Sequence, residues 1–125
     1  ALGIESVRVV DPYDLKATRT VLREELNRPG PSVVISQRAC VLFKREAEAA
    51  RKPLRVDPDT CIGCRTCVGL GCPAIAWRSF EGMPPEQVKK NAKKQDGMAA
   101  IDGTLCNGCT VCQQLCKVGA IVEEE

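Results

Sequence analysis

At 125 residues the chain has room for one ordinary domain, or for a small domain and part of another. A net charge of +2, from 18 Lys and Arg against 16 Asp and Glu, excludes a nucleic-acid binder driven by charge. With no histidine, histidine-bound haem, Rieske ligation and mixed Cys/His zinc sites are also excluded, and 3% aromatics are too few for a large conventional core.

Residues 1–55 contain no cysteine before Cys40 and read as strand, helix, strand. Val7, Val9 and Val10 form a β-branched run ending at the turn signal Asp11-Pro12. Asp14 is placed to cap a helix running to about Asn27, with Leu15, Val21, Leu22 and Leu26 on one side. Arg19, Arg23 and Glu24 lie mostly on the other side, and Asn27-Arg28-Pro29-Gly30-Pro31 stops the helix. Val33, Val34 and Ile35 form a second strand, unalternated as a strand buried on both faces would be. Strand, helix and strand with a short crossover make a right-handed parallel βαβ unit. Two strands and one helix cannot cover both of their apolar faces. Partner chains cover them, or this is a piece of a larger α/β domain, which is the favoured expectation. Cys40 reads as an isolated buried thiol with a packing role. Residues 42–52, with Lys44, Arg45, Glu46, Glu48 and Arg51, read as a charged helical connector ended by Pro53.

From residue 56 to 125 the character changes. Eight of the nine cysteines fall into two runs, Cys61-x2-Cys64-x2-Cys67-x4-Cys72 and Cys106-x2-Cys109-x2-Cys112-x3-Cys116. Three cysteines at three-residue steps let one tight loop offer three sulfurs to a small iron–sulfur core, and two runs imply two [4Fe–4S] clusters. The fourth cysteine is too far along the chain to complete its own loop, and in bacterial-type ferredoxins it ligates the other cluster. The expected ligands are therefore Cys61, Cys64, Cys67 and Cys116 for cluster 1, and Cys106, Cys109, Cys112 and Cys72 for cluster 2. Three other readings compete. Zinc is satisfied by two Cys-x2-Cys pairs and has no use for a third cysteine in each run. Disulfides suit a small secreted domain, and nothing here indicates export. A catalytic dithiol needs one pair, not two complete runs. Each oxidised cluster with its thiolates adds roughly −2, which would take the loaded chain from +2 to near −2.

The two runs belong to an internal repeat. Val56-Asp57, Cys61, Gly63, Cys64 and Cys67 recur 45 positions later as Ile101-Asp102, Cys106, Gly108, Cys109 and Cys112. The expected fold is thus α+β: a bacterial-type 2[4Fe–4S] ferredoxin domain with a pseudo-two-fold repeat, preceded by the βαβ piece. Val56 and Ile101 are expected to begin equivalent strands, a short helix to follow each third cysteine, and Ala120-Ile121-Val122 to close the sheet. Glycines in the loops are expected to bring amides close to sulfur, and Trp77 and Phe80 to pack over a cluster and exclude water. Arg78 to Ala99 reads as an insertion carrying a helix over 86–94. Its Lys89, Lys90, Lys93 and Lys94 read first as a solvated face and second as a docking patch for an acidic electron carrier. Lys117, next to Cys116, is expected to raise the potential of the cluster bound there. No phosphate loop, serine–histidine pair or carboxylate cluster is present, so no substrate-transforming site is expected in this chain. No stretch approaches about 18 apolar residues, so no membrane span is expected, and low-potential clusters point to the cytoplasm.

The run Cys61-Ile62-Gly63-Cys64-Arg65-Thr66-Cys67-Val68-Gly69-Leu70-Gly71-Cys72-Pro73-Ala74-Ile75 has one more residue before its last cysteine than ordinary ferredoxins. It resembles the C-terminal ferredoxin domain of the indolepyruvate:ferredoxin oxidoreductase large (alpha) subunit. Ile101 to Cys109 resembles that domain's second half. Val7 to Tyr13, Gly30 to Ser36, and Cys40 resemble the last strand–helix–strand of the family's thiamine-diphosphate domain. The resemblance implies oxidative decarboxylation of aryl-2-oxoacids to acyl-CoA with thiamine diphosphate, coenzyme A and a ferredoxin acceptor. It implies that this chain is the electron-transfer portion, with the eight cysteines as its functional residues. Thiamine diphosphate and Mg are expected in the rest of the enzyme, and the remainder of the large subunit and a smaller oxidoreductase subunit as partners. The alternative is a dicluster ferredoxin, free or a subunit, that serves another redox complex.

Overall fold

The computed structural model describes residues 3–41, 43, 52–84, 88 and 95–124. The chain divides into two units, 1–50 and 51–125, so the segment around Leu54 belongs with the cysteine runs.

In the first unit, β1 (Ser6–Val10) and β2 (Ser32–Ser36) pair in parallel, from Ser6 against Ser32 to Val10 against Ser36. The helix α1 (Leu15–Leu26) connects them. It starts where it does because Asp14 accepts the Ala17 N–H through its carboxylate at 2.9 Å, satisfying a backbone donor that a helix start leaves unpaired. Asp11 shapes the entry, accepting the Tyr13 N–H and pairing with Arg38, whose guanidinium lies 4.6 Å from the Tyr13 ring centroid. The apolar faces are open, as the burial argument expects, and the expectation for Cys40 is corrected. Val7, Val9 and Ile35 are exposed, and so are Leu22 and Leu26, because one helix and two strands leave apolar faces uncovered among the described residues. The buried residue of α1 is instead Glu25, whose carboxylate lies 3.6 Å from the Arg8 guanidinium. Cys40 is exposed, not buried. The expected connector helix lies mostly outside the described residues.

The second unit is a small α+β structure of two antiparallel strand pairs. β3 (Leu54–Val56) pairs with β6 (Ile121–Glu123), and β4 (Ile75–Ser79) pairs with β5 (Gly97–Ile101). Val56 and Ile101 end their strands, where sequence reading has them begin. The reason is the aspartate that follows each. Asp57 N–H donates to Ala120 O at 2.7 Å and Asp102 N–H to Ala74 O at 2.8 Å, which are the last bonds before each chain turns away. Much of the flanks of the expected insertion is sheet, since Arg78 and Ser79 lie in β4 and Gly97 to Ala99 in β5. The helix expected over 86–94 falls almost wholly outside the described residues. After Cys67 comes a single 3-10 turn, Val68–Leu70, while α2 (Val111–Leu115) already contains Cys112.

The core of this unit is Leu54, Cys112 and Ile121, with Val56, Cys67, Ile75, Ile101, Cys106 and Cys116 packed around it. Four of these nine residues are cysteines, so the hydrophobic centre and the sulfur ligands are one construction. Among the described residues no helix is long and apolar enough to cross a membrane.

Candidate metal centre

Each cysteine run sits on a loop that its aspartate organises. Asp57 accepts the Asp59 N–H at 3.0 Å and the Thr60 hydroxyl through its carboxylate, while its carbonyl accepts the Cys61 N–H at 3.0 Å. Asp102 accepts the Thr104 N–H at 2.9 Å and hydroxyl at 2.6 Å, and its carbonyl accepts the Cys106 N–H at 3.0 Å. The Thr104 hydroxyl, with the N–H behind it, holds the Asp102 carboxyl below the usual carboxylate range. Farther round, Gly63 and Arg65 have φ of +65° and +59°, and Gly108 and Thr110 have +63° and +64°. Left-handed residues at alternate positions curl the backbone so that the cysteines between and beside them point inward. For Arg65 and Thr110 that conformation costs about 1 kcal/mol each, so something in the site must hold them there.

The loops produce two cavities. The first is lined by Cys61, Cys64, Cys67 and Cys116, with Ile121 and Trp77 among its walls. The second is lined by Cys72, Cys106, Cys109 and Cys112, with Leu54 and Ile101 among its walls. Their empty volumes, open mouths included, are about 330 and 550 Å³. Leu54 and Ile121, the two largest fully buried side chains, lie one on each cavity wall. Phe80 lines neither cavity, contrary to the expectation that it packs there beside Trp77.

The sulfurs differ in environment. Cys61 and Cys112 are buried, Cys64 is exposed and the other five are intermediate. The Thr66 hydroxyl, 3.4 Å from Cys64 Sγ, is the main cause of a lowered Cys64 pKa. Burial raises the Cys67 thiol and pushes Cys112 up to about 11, and repulsion from Cys109, Cys106 and Cys72 adds to the latter. Backbone donors also reach sulfur: Leu54 N–H to Cys106 Sγ at 3.3 Å and Ala120 N–H to Cys116 Sγ at 3.2 Å. Leu54 opens β3 and Ala120 immediately precedes β6, so both donors sit where a strand begins.

This donor set fits an iron–sulfur cluster. Converging thiolates that repel one another need a cationic core, and thiolate is the ligand of iron–sulfur chemistry. A lone zinc draws its sulfurs to about 2.3 Å from one point, whereas a cubane binds each thiolate at a different corner. Among the described residues, no three Cys, Asp or Glu side chains gather tightly enough to hold a single ion.

Comparison with known families agrees with the chemistry. Residues 53–117 match the family model described as 4Fe-4S dicluster domain. The chain belongs to that family. The dicluster domain accounts for the second unit, and similarity to curated proteins extends beyond it. The chain is 37% identical over 125 residues to the indolepyruvate oxidoreductase subunit IorA of Pyrococcus horikoshii, covering 96% of this chain. It is 38% identical to that of Thermococcus kodakarensis over 96% of its length, and 34% identical to that of Methanothermobacter marburgensis over 99%. The chain spans 17% of the length of these relatives. No solved structure matches it.

Proposed function

We propose that the chain holds two [4Fe–4S] clusters in crossed fashion, Cys61, Cys64, Cys67 and Cys116 on one and Cys106, Cys109, Cys112 and Cys72 on the other. When bound, such clusters supply one-electron transfer. The observation that carries the reading is that Cys116 lines the first cavity and Cys72 the second, each beside three cysteines from the opposite run. The chain's own residues keep the sulfurs in place and dry. Ile121 and Leu54 wall off water, Trp77 covers the first cavity, and the Leu54 and Ala120 N–H groups bond to sulfur. Hydrogen bonds to ligand sulfur ease reduction by spreading the added charge.

The pseudo-two-fold reading is supported by bonds that recur 45 positions apart, Cys61 N–H to Asp57 O and Cys106 N–H to Asp102 O. The paired positive φ values at Gly63 and Gly108, and at Arg65 and Thr110, support it too. We place this electron path in an indolepyruvate-type 2-oxoacid:ferredoxin oxidoreductase, because the similarity to IorA proteins covers nearly the whole chain. In this reading β1, α1 and β2 are a piece of a larger thiamine-diphosphate-type α/β domain, which would cover the exposed Val7, Val9 and Ile35. The rest of the large subunit, with thiamine diphosphate and Mg, a smaller subunit and a cytoplasmic ferredoxin acceptor complete the enzyme.

Metal and sulfide analysis of anaerobically purified protein tests the core of this proposal. About eight irons and eight labile sulfides per chain are expected from two cubanes. Zinc without sulfide overturns it.

A further inference from the structure

The two sulfur quartets are related by the internal repeat, yet three positions beside them are not equivalent. Arg65 sits between Cys64 and Cys67, and its counterpart between Cys109 and Cys112 is Thr110. Thr66 has Val111 as its counterpart, so only one loop carries a hydroxyl there. Lys117 follows Cys116, while the residue following Cys72 is Pro73. Because the fourth cysteines line the opposite cavities, all three polar or cationic residues fall on the Cys61, Cys64, Cys67 and Cys116 side.

The structure places Arg65 and Thr66 against that quartet, and Lys117 is next in sequence to Cys116, which lines the same cavity. Arg65 lines the first cavity, its guanidinium 4.2 Å from the Trp77 ring centroid. It also pairs with Asp96 at 2.5 Å, but Asp96 is the more exposed partner and does not line the cavity. Water therefore screens the carboxylate better than the guanidinium. Stacking and pairing together hold Arg65 in a left-handed conformation that an unconstrained arginine avoids. The Thr66 hydroxyl lies 3.4 Å from Cys64 Sγ. Cys64 is exposed while its counterpart Cys109 is not, so water also stabilises added charge better on this side. Among the described residues, none that lines the second cavity is charged. Backbone N–H groups reach sulfur at both sites.

We propose that Arg65, Thr66 and Lys117 set the Cys61/Cys64/Cys67/Cys116 site at a higher reduction potential than the Cys72/Cys106/Cys109/Cys112 site, so the first electron to enter settles there. Adding an electron makes a cluster with four thiolates more negative, and fixed cations and a hydroxyl donor lower the cost of that charge. One electron arrives from a low-potential one-electron donor, one cluster is reduced, and no proton or bond is exchanged. The inference rests on the two-cluster reading above and adds an order to it.

The test is a redox titration of the purified holo-chain with dithionite, followed by electron paramagnetic resonance, on samples first shown to contain two clusters by iron and sulfide analysis. A shortfall at that first step counts against the cluster reading, not against the order. With both clusters present, two one-electron waves are expected, separated by at least about tenfold in equilibrium constant, roughly 59 mV. Arg65→Gln and Lys117→Gln should each move the upper wave down and leave the lower wave in place, and Thr66→Val should do so to a smaller degree. Arg65→Lys, which keeps the cation, should restore most of the Arg65→Gln shift. Thr110→Arg, which gives the second site the missing charge, should raise the lower wave. Coincident waves in the parent protein, or movement of the lower wave in Arg65→Gln, overturns the proposal. So does the absence of any shift in both Arg65→Gln and Thr110→Arg.

Discussion

Gly97 lies under the indole of Trp77 so closely that a Cβ there would stand 2.8 Å from the ring, with the Arg78 carbonyl closer still. The Gly97 carbonyl in turn approaches Gly63, where a Cβ would meet it at 3.0 Å. One glycine at the start of β5 thus seats both the tryptophan over the first cavity and the first cysteine loop. Gly97→Ala should displace Trp77 and the Arg65 stacked on it, destabilising the second unit by about 1–3 kcal/mol, as overpacking does. Cluster loss on heating, followed by visible absorption, should occur at lower temperature than in the parent. An unchanged thermal profile would show that the contact relaxes without cost.

Leu54 contributes twice to the second site. Its side chain is 1% exposed and lines the cavity, and its N–H donates to Cys106 Sγ at 3.3 Å. Leu54→Ala removes the packing and keeps the hydrogen bond. The expected cost is about 2–5 kcal/mol, by lost burial and residual cavity. Denaturant unfolding of the holoprotein should show that loss, with the second cluster bleaching before the first. Equal bleaching of both would mean that Leu54 supports the whole unit and not one site.

The crossed ligand assignment is open to a direct check. Cys116 lines the cavity of the first run, and Cys72 that of the second. Cys116→Ser should therefore perturb the spectrum of the cluster held by Cys61, Cys64 and Cys67, and Cys72→Ser that of its neighbour. Oxygen is a harder donor than sulfur, so each substituted cluster should also be more easily lost. The opposite pattern, each serine disturbing the cluster of its own run, would refute the crossing.

Much of this was legible from residue order, because metal chemistry imposes spacing more strictly than packing does. The three-residue steps of the cysteines, the repeat at 45 positions, the Asp14 cap and the β1–α1–β2 order all depend on neighbours near in sequence. What was hidden depends on distant partners. The turn-side ends of β4 and β5, Arg78 and Ser79 with Gly97 to Ala99, read as part of an insertion because Gly97 and Ala99 are weak strand formers whose partners are distant in sequence. Arg65 carries no signal of its own in the sequence, because Trp77 and Asp96, which hold it, are distant along the chain. Val56 and Ile101 end strands instead of beginning them because Asp57 and Asp102 serve the loops, accepting bonds from Thr60 and Thr104. The family match, over residues 53–117, covers the stretch where order and spacing were most informative.

In the first unit, Arg8 and Glu25 make a pair whose members are not equally dispensable. The Glu25 side chain is 7% exposed and that of Arg8 is 46% exposed, so the carboxylate has given up most of its water and the guanidinium has not. One Glu25 carboxylate oxygen, Oε2, has no hydrogen-bond partner among the described residues. Removing the cation by Arg8→Ala leaves a buried charge without its compensation, and should destabilise this unit by up to about 3 kcal/mol, the lower end for broken buried pairs. Removing the charge instead, by Glu25→Leu, replaces a poorly satisfied carboxylate with apolar volume and should be neutral or stabilising. Hydrogen exchange of the β1 and β2 amides distinguishes the two, since protection in this unit should fall for Arg8→Ala and hold for Glu25→Leu. Equal loss in both variants would mean that the ion pair itself, not the cost of burying Glu25, governs the stability of the helix against its strands.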